Sequence, residues 1–125
     1  MGSGRRPTVL ICEDEPHLRE LVRASLGADY RFVEASSVGE ADEAIRVAPP
    51  DVVLLDLMLP GGSGLDVLRS LRRGPVYVPV IVVSAWTTPD YREAAEEAGA
   101  DAFVAKPFVP QDLAALVAQL VAGDK

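Results

Sequence analysis

The sequence has a single cysteine, no apolar run of membrane-spanning length and no segment that resembles a secretory signal. One cysteine excludes an internal disulfide, and the place of Cys12 inside an apolar run predicts simple core packing. The longest apolar run, residues 78–85, is interrupted by Pro79 and is far shorter than the roughly 20 residues that a membrane helix needs. Together these features predict a cytoplasmic protein with no membrane partner.

Basic residues are also scarce, since 12 Lys and Arg stand against 19 Asp and Glu and the formal net charge is -7. Nucleic-acid binding requires clustered basic side chains, so the composition argues against a nucleic-acid partner for this domain. A length of 125 residues suffices for one domain with one core. We assign residues 7–122 to that domain, residues 1–6 to a tag or a disordered N-terminus, and residues 123–125 to a C-terminal tail.

The chain does contain apolar runs of strand length that alternate five times with segments of helical period. The predicted strands cover residues 8–12, 31–35, 51–55, 79–84 and 102–105. The fourth helix is expected over residues 89–98, and its inner face is mostly alanine, so we expect it to pack weakly. Repeated β-α units with right-handed crossovers predict a single-domain α/β fold with helices on both faces of the sheet. The expected arrangement is a five-stranded parallel sheet of order 2-1-3-4-5, as in flavodoxin-like folds.

Acidic residues follow two strands that should be neighbours in this sheet. The first strand leads into Glu13 and Asp14, and the third leads into Asp56. Ligands of such sheets bind beyond the carboxyl ends of the strands, at the point where the winding reverses. Carboxylates held close together repel one another unless a cation intervenes, and oxygen ligands favour Mg²⁺. We expect these three residues to form a cation site, whereas Glu15 should stabilise the start of the first helix.

A hydroxyl and an ammonium group follow at the ends of the last two strands. Ser84 ends the fourth apolar run and Lys106 follows the fifth, so both should reach the same edge as Asp56. Phosphoryl transfer needs a nucleophile and neutralisation of the phosphoryl oxygens. Asp56 can act as the nucleophile, the cation and Lys106 supply positive charge, and Ser84 supplies a hydrogen-bond donor.

These motifs resemble the response-regulator receiver family of bacterial two-component systems, from about Thr8 to Val121. Four segments carry the resemblance: residues 9–16 (VLICEDEP), 56–64 (DLMLPGGSG), 80–85 (VIVVSA) and 99–108 (GADAFVAKPF). The first looks like the acidic pair of the family, the second like its phosphorylation loop, the third like its switch strand and the fourth like its lysine segment.

The resemblance implies that a sensor histidine kinase or a phosphotransfer protein phosphorylates Asp56 in a reaction that needs Mg²⁺, for which Mn²⁺ can substitute. Asp14, Asp56 and the main-chain carbonyl of Met58 would bind the metal directly. Glu13 stands where the family more often has Asp, and it is expected to act through a metal-bound water. A domain of this kind catalyses only its own phosphorylation and dephosphorylation, so we do not expect an enzyme.

The resemblance also implies a conformational switch. Ser84 and Ala85 would bind the phosphoryl group together with Lys106, and Phe103 would then turn inward. This change would alter the face made by the fourth helix, the fifth strand and the fifth helix, and so control an output domain or a partner protein. The Lys106-Pro107 peptide bond is expected to be cis.

Met58 and Trp86 lie two residues beyond Asp56 and Ser84, at positions that flank the phosphoryl group in the family. We predict that their bulk hinders the water that hydrolyses the phosphorylated aspartate. The alternative is that both are surface side chains without a kinetic role.

Three other functions stay open from the sequence. A haloacid-dehalogenase-like phosphatase would use an aspartyl nucleophile, but it commonly has a second Asp where this chain has Met58. A flavin or nucleotide module would need a Gly- or Ser/Thr-rich phosphate cradle in place of residues 13–15. A receiver-like interaction domain would keep the fold without being phosphorylated.

Overall fold

The structure, a computed structural model, describes residues 5–122 as a parallel sheet with a helix after each strand. In chain order, the elements are β1 (Thr8–Cys12), α1 (Pro16–Leu26), β2 (Arg31–Ala35), α2 (Val38–Val47), β3 (Val52–Leu55), α3 (Gly64–Arg73), β4 (Val80–Ser84), α4 (Pro89–Ala98), β5 (Ala102–Ala105) and α5 (Pro110–Ala122). The sheet order is β2-β1-β3-β4-β5 and every pairing is parallel, which confirms the predicted fold class. Residues 1–4 and 123–125 of the predicted terminal segments lie outside the described residues.

The core lies on both faces of the sheet because the central strands are apolar except at the first residue of β1 and the last residue of β4. Alternate residues of β1 point to opposite faces, so Leu10 packs in one cluster and Ile11 in the other. Leu68 of α3 belongs to the first cluster and Leu113 of α5 to the second. Within residues 5–122, no helix combines the length and the apolar character that crossing a membrane requires.

Two strands begin one residue later than the sequence pattern predicts. Asp51 precedes β3, and its side-chain Oδ2 accepts a hydrogen bond from the main-chain N–H of Thr8 at 2.7 Å. Pro79 precedes β4 and has no N–H to donate to a neighbouring strand. Its carbonyl does accept a hydrogen bond from the N–H of Val53 at 2.9 Å. Both residues thus bond to the neighbouring strand without extending their own.

The helices α3 and α4 differ in how they are anchored. The hydroxyl of Ser63 caps α3 by accepting from the N–H of Leu65 at 3.1 Å, and four residues of α3 are buried: Gly64, Val67, Leu68 and Leu71. Thr88 precedes α4 without a side-chain capping hydrogen bond, and Ala95 is the buried residue of that helix. The weak packing predicted for the alanine-rich fourth helix is confirmed.

The last turn of α3 is further attached through Arg72. Its guanidinium donates to the carbonyls of Val78 at 2.8 Å and Gly99 at 3.0 Å, and to Oδ2 of Asp101 at 3.0 Å. Tyr77 donates its hydroxyl to the same aspartate, and its ring lies 4.3 Å below the guanidinium carbon. These contacts tie the end of α3 to the segments that enter β4 and β5.

Candidate functional site

The carboxyl ends of four strands meet at one edge of the sheet and bring the predicted polar residues together. Glu13 follows β1, Asp56 follows β3, Ser84 ends β4 and Lys106 follows β5. The register explains the convergence, because the last residues of β1 and β3 are paired with each other and the last residues of β4 and β5 are paired likewise. Parallel strands therefore bring all four side chains to the same edge of the sheet, with Ser84 and Lys106 slightly further along than Asp56.

Three carboxyl groups share this edge with one ammonium group. Oxygens of Glu13, Asp14 and Asp56 all lie within 4.8 Å of one another. The Nζ atom of Lys106 lies 2.6 Å from Oε1 of Glu13 and 2.9 Å from Oδ2 of Asp56. The main-chain N–H of Met58 donates to Oδ1 of Asp56 at 3.0 Å. Both oxygens of Asp56 are thus held in place.

Burial and pairing act in opposite directions on these groups. Burial would lower the pKa of Lys106, but hydrogen bonds from its ammonium to Glu13 and Asp56, and the charges of both residues, raise it above its ordinary value. Burial raises the pKa of Glu13, while the hydrogen bond from Lys106 opposes this change. Lys106 therefore stays a cation across the neutral range and neutralises part of the surplus negative charge.

The donor set fits a hard divalent cation. All the candidate side-chain ligands are carboxylate oxygens, and more carboxylates than ammonium groups are present. Glu13 and Asp56 are buried, whereas Asp14 is exposed and can meet a cation that enters from solvent. Both oxygens of Glu13 already have protein partners, since Oε2 accepts from the N–H of Glu15 at 3.1 Å and Oε1 contacts Lys106. Both oxygens of Asp56 are likewise paired, so Asp14 is the carboxylate of the three that is most open to a cation from solvent.

Ser84 lies at the other side of Asp56 and is fully buried. Its Oγ accepts a hydrogen bond from the main-chain N–H of Trp86 at 3.0 Å, and the intervening Ala85 is exposed. In this hydrogen bond Oγ is the acceptor, so the hydroxyl proton is not used. After a rotation of its side chain, Ser84 can donate that proton to a group bound to Asp56.

Met58 and Trp86 lie at the protein surface next to this edge of the sheet. They line an open cavity of about 480 Å³ together with Asp14 and Ser63. Met58 is 48% exposed and Trp86 is 38% exposed, so both present apolar surface to solvent. The ring of Trp86 packs against that of Tyr91, with centroids 4.7 Å apart.

Phe103 lies away from the acidic residues, on the side of the sheet covered by α4. It is half-buried against Leu57, Val82 and Ala95. The guanidinium carbon of Arg92 lies 4.5 Å from its ring centroid. The Lys106-Pro107 peptide bond is cis, the form that the sequence led us to expect.

The remaining predictions near the site concern Cys12 and Glu15. The thiol of Cys12 is buried in the core as predicted, and burial raises its pKa to about 12. Glu15 caps α1, because its carboxylate accepts from the N–H of His17 at 2.6 Å, which is the helix-start role expected for it.

Sequence reasoning missed two arginines that support the site. Arg19 donates to the main-chain carbonyl of Glu13 at 2.9 Å and to Oε1 of Glu34 at 2.7 Å, so α1 and β2 both steady the acidic segment. Arg92 contacts Phe103. A signal existed for Arg92, since it is the single basic residue of α4.

Gly64 sets how closely α3 approaches the acidic edge. A Cβ atom at this position would lie 2.3 Å from the main-chain oxygen of Asp56 and 2.9 Å from the Cα of Leu57. No side chain fits there without displacing main-chain atoms. The first turn of α3 thus rests directly on the backbone of Asp56.

Comparison with known proteins agrees with this architecture. Residues 9–118 match the response regulator receiver domain family. The phosphate regulon transcriptional regulatory protein PhoB of Pseudomonas aeruginosa is 39% identical over 111 residues, which are 86% of this chain and 48% of that protein. The transcriptional regulatory protein KdpE of Mycobacterium tuberculosis is 46% identical over 101 residues, which are 80% of this chain and 44% of that protein.

Solved structures give the same result. The non-phosphorylated HemR receiver domain from Leptospira biflexa superposes with a TM-score of 0.87 at 28% identity, covering 96% of this chain and 98% of that chain. The chain spans about half the length of the curated relatives it matches. The five-stranded fold, the acidic edge and the family match together show that this chain belongs to the response regulator receiver domain family of two-component signalling.

Proposed function

We propose that Asp56 accepts a phosphoryl group from a sensor histidine kinase or a phosphotransfer protein, in a reaction that needs Mg²⁺ and in which Mn²⁺ can substitute. One observation carries the proposal: Asp56 lies in contact with Lys106 and within 4.8 Å of the carboxylates of Glu13 and Asp14. A nucleophile, a fixed cation and ligands for a second cation are what phosphoryl transfer to a carboxylate requires.

In the proposed reaction, a carboxylate oxygen of Asp56 attacks the phosphorus of a phosphohistidine. The new O–P bond forms as the P–N bond breaks, and the departing imidazole nitrogen takes a proton from solvent. Lys106 and the hydroxyl of Ser84 stabilise the phosphoryl oxygens, since both lie at the same edge of the sheet as Asp56. Bound Mg²⁺ would supply further positive charge for those oxygens.

The residues assigned to the metal are Asp14, Asp56 and the main-chain carbonyl of Met58. Glu13 has a side chain one methylene longer than that of Asp, and it would contact the metal through a water. The chain acts only on itself in this scheme, as a phosphorylated signalling domain in the cytoplasm.

Phosphorylation would be transmitted by Ser84, Ala85 and Phe103 to the surface formed by α4, β5 and α5. An output domain or a separate protein would read that surface. The curated relatives are named as transcriptional regulatory proteins and are about twice as long as this chain, which supports an output domain as the partner. We do not assign nucleic-acid binding to the receiver itself because its net charge is -7.

Met58 and Trp86 are proposed to slow hydrolysis of the phosphorylated aspartate. Their exposed apolar side chains line the cavity that also contains Asp14, which is the route by which water would approach. Replacing both with small polar residues should shorten the half-life of phosphorylated Asp56, measured by intact mass after removal of the donor. An unchanged half-life would assign both residues to the surface alone.

The function is tested by incubating the protein with acetyl phosphate and Mg²⁺ and measuring its intact mass. Wild type should gain one phosphoryl mass, whereas Asp56→Asn should gain none, and a chelator should prevent the gain. Asp42→Asn is a matched control, since Asp42 lies on α2 and does not belong to the carboxylate cluster of Glu13, Asp14 and Asp56. No mass gain in wild type, from acetyl phosphate or from phosphoramidate, would favour the interaction domain that is never phosphorylated.

A further inference from the structure

Arg92 occupies an unusual place between the loop after Ser84 and the ring of Phe103. It is the single basic residue of α4, whose sequence PDYREAAEEA contains four acids. The guanidinium carbon lies 4.5 Å from the centroid of the Phe103 ring, a cation–π contact. Its Nε donates to the main-chain carbonyl of Thr87 at 3.3 Å. One side chain therefore contacts both the β4–α4 loop and β5.

The β4–α4 loop is connected to Ser84 by a short series of contacts. The N–H of Trp86 donates to Oγ of Ser84 at 3.0 Å, and the ring of Trp86 packs on Tyr91, with centroids 4.7 Å apart. Thr87 follows directly and accepts from Arg92. A rotation of Ser84 would break the first of these contacts and free the loop to shift. Helix α4, which follows the loop, offers little resistance to this shift because Ala95 is its buried residue.

Phe103 has no hydroxyl with which to form a hydrogen bond, so its orientation depends on packing and on the cation above it. The ring is half-buried against Leu57, Val82 and Ala95, and the guanidinium of Arg92 lies over one of its faces. An inward turn of the ring would remove it from the guanidinium. The contact with Arg92 therefore favours the ring position in this structure over the turned one.

We propose that Arg92 is a positioning residue that holds Phe103 in the unphosphorylated arrangement and releases it when the β4–α4 loop moves. This proposal rests on the proposed function, since the loop moves when Ser84 turns toward the phosphoryl group on Asp56. Arg92 links the two because it holds the carbonyl of Thr87 and the ring of Phe103 with one guanidinium. Its effect is to lower the population of the switched state before phosphorylation.

The expected size of the effect of removing Arg92 follows from the exposure of its contact with Phe103. Arg92 is exposed, and removing a cation–π contact at such a site changes a two-state equilibrium by about twofold to fivefold. The rate of phosphorylation by a small donor should rise by a similar factor if the reactive arrangement is the switched one.

The test uses the full chain with fluorinated phenylalanine, of which the sequence has three. The ¹⁹F signal of Phe103 is assigned with Phe103→Leu, and its switched position is recorded in wild type with Mg²⁺ and beryllofluoride. We expect Arg92→Ala without these additions to move the signal part of the way to that position. The same variant should gain phosphoryl mass from acetyl phosphate about twofold to fivefold faster than wild type.

Arg92→Lys retains a cation and should restore most of the wild-type signal and rate. Arg46→Ala is the matched control, because Arg46 is an exposed helical arginine paired with Glu43 on α2, and it should behave as wild type. If wild type is phosphorylated but Arg92→Ala keeps the wild-type signal and rate, the role of Arg92 is overturned while the proposed function stands. If wild type neither gains mass nor responds to beryllofluoride, the proposed function fails and the role of Arg92 fails with it.

Discussion

Helices α3 and α4 follow the two strands that lead to Asp56 and Ser84, yet they are attached to the sheet very differently. The first buries four residues, has a side-chain cap at Ser63 and is tied down at its end by Arg72. The second buries Ala95 and has no side-chain cap at Thr88. Helix α3, whose first turn rests on the backbone of Asp56, is firmly attached to the sheet, whereas α4, which follows Ser84, is not.

This difference separates the two requirements of a switch. In the proposed function, Asp56 must keep its geometry while it receives a phosphoryl group, and the packing of α3 on its backbone supports this. The surface that reports the change must have alternative positions of similar free energy, and a helix with little buried apolar area meets that need. The three variant series below test whether the contrast holds, from the largest expected effect to the smallest.

The first comparison removes buried side-chain atoms from each helix. Leu68→Ala in α3 should lower the free energy of unfolding by about 2–5 kcal/mol because a fully buried leucine leaves a cavity. Ala95→Gly in α4 should cost only about 1–2 kcal/mol, from lost helix propensity and one methyl group. Urea unfolding followed by circular dichroism measures both, and equal losses would contradict the contrast.

The second comparison removes the hydroxyl that precedes each helix. Ser63→Ala should cost about 1 kcal/mol, since its Oγ accepts from the N–H of Leu65. Thr88→Ala should change the free energy of unfolding by less than about 0.5 kcal/mol, because no capping hydrogen bond is lost. The same urea titrations apply, and a larger loss at Thr88 than at Ser63 would reverse the assignment.

The third and smallest effect concerns the contacts at the end of α3. Burial and the hydrogen bond to Asp101 raise the pKa of Tyr77 above its ordinary value of 10.0. The hydroxyl of Tyr77 therefore loses its proton at lower pH in the unfolded chain than in the folded one. The stability that the protonated hydroxyl contributes is complete below about pH 10 and is lost as the pH rises through the folded-state pKa.

The free energy of unfolding of wild type should consequently fall more steeply above about pH 10 than that of Tyr77→Phe. Asp101→Asn should reduce the difference, because it removes the charge that opposes ionisation of the tyrosine. Urea unfolding at a series of alkaline pH values measures the slopes. Identical slopes for wild type and Tyr77→Phe would show that the hydroxyl adds nothing to the attachment of α3.

Much of the fold could be predicted because its signals are local. The alternation of strand-length and helix-period segments predicted β1, β2 and β5 with the bounds that the structure has. The predicted start of β3 was wrong by one residue. Asp51 bonds to Thr8 through both its main-chain N–H and its carboxylate, and no pattern of apolar residues encodes the second contact.

The acidic edge could also be predicted, since in a parallel sheet the residues that follow the strands lie at one edge. Glu13, Asp56 and Lys106 were expected together, and they are in contact. The roles of Arg72 and Arg92 could not be predicted in the same way. Their partners depend on how helices lie across the sheet, and Gly99 is 27 residues from Arg72 in the sequence.

The contact between Lys106 and Glu13 joins residues that are 93 positions apart. A ribosome makes the strands that carry the carboxylates long before it makes the one that carries the ammonium group. Until the final strand has left the exit tunnel, the acidic residues of a nascent chain lack this counterion. The acidic edge is therefore completed only after β5 has been synthesised, and a chain that ends before β5 would contain Asp56 without the lysine that balances it.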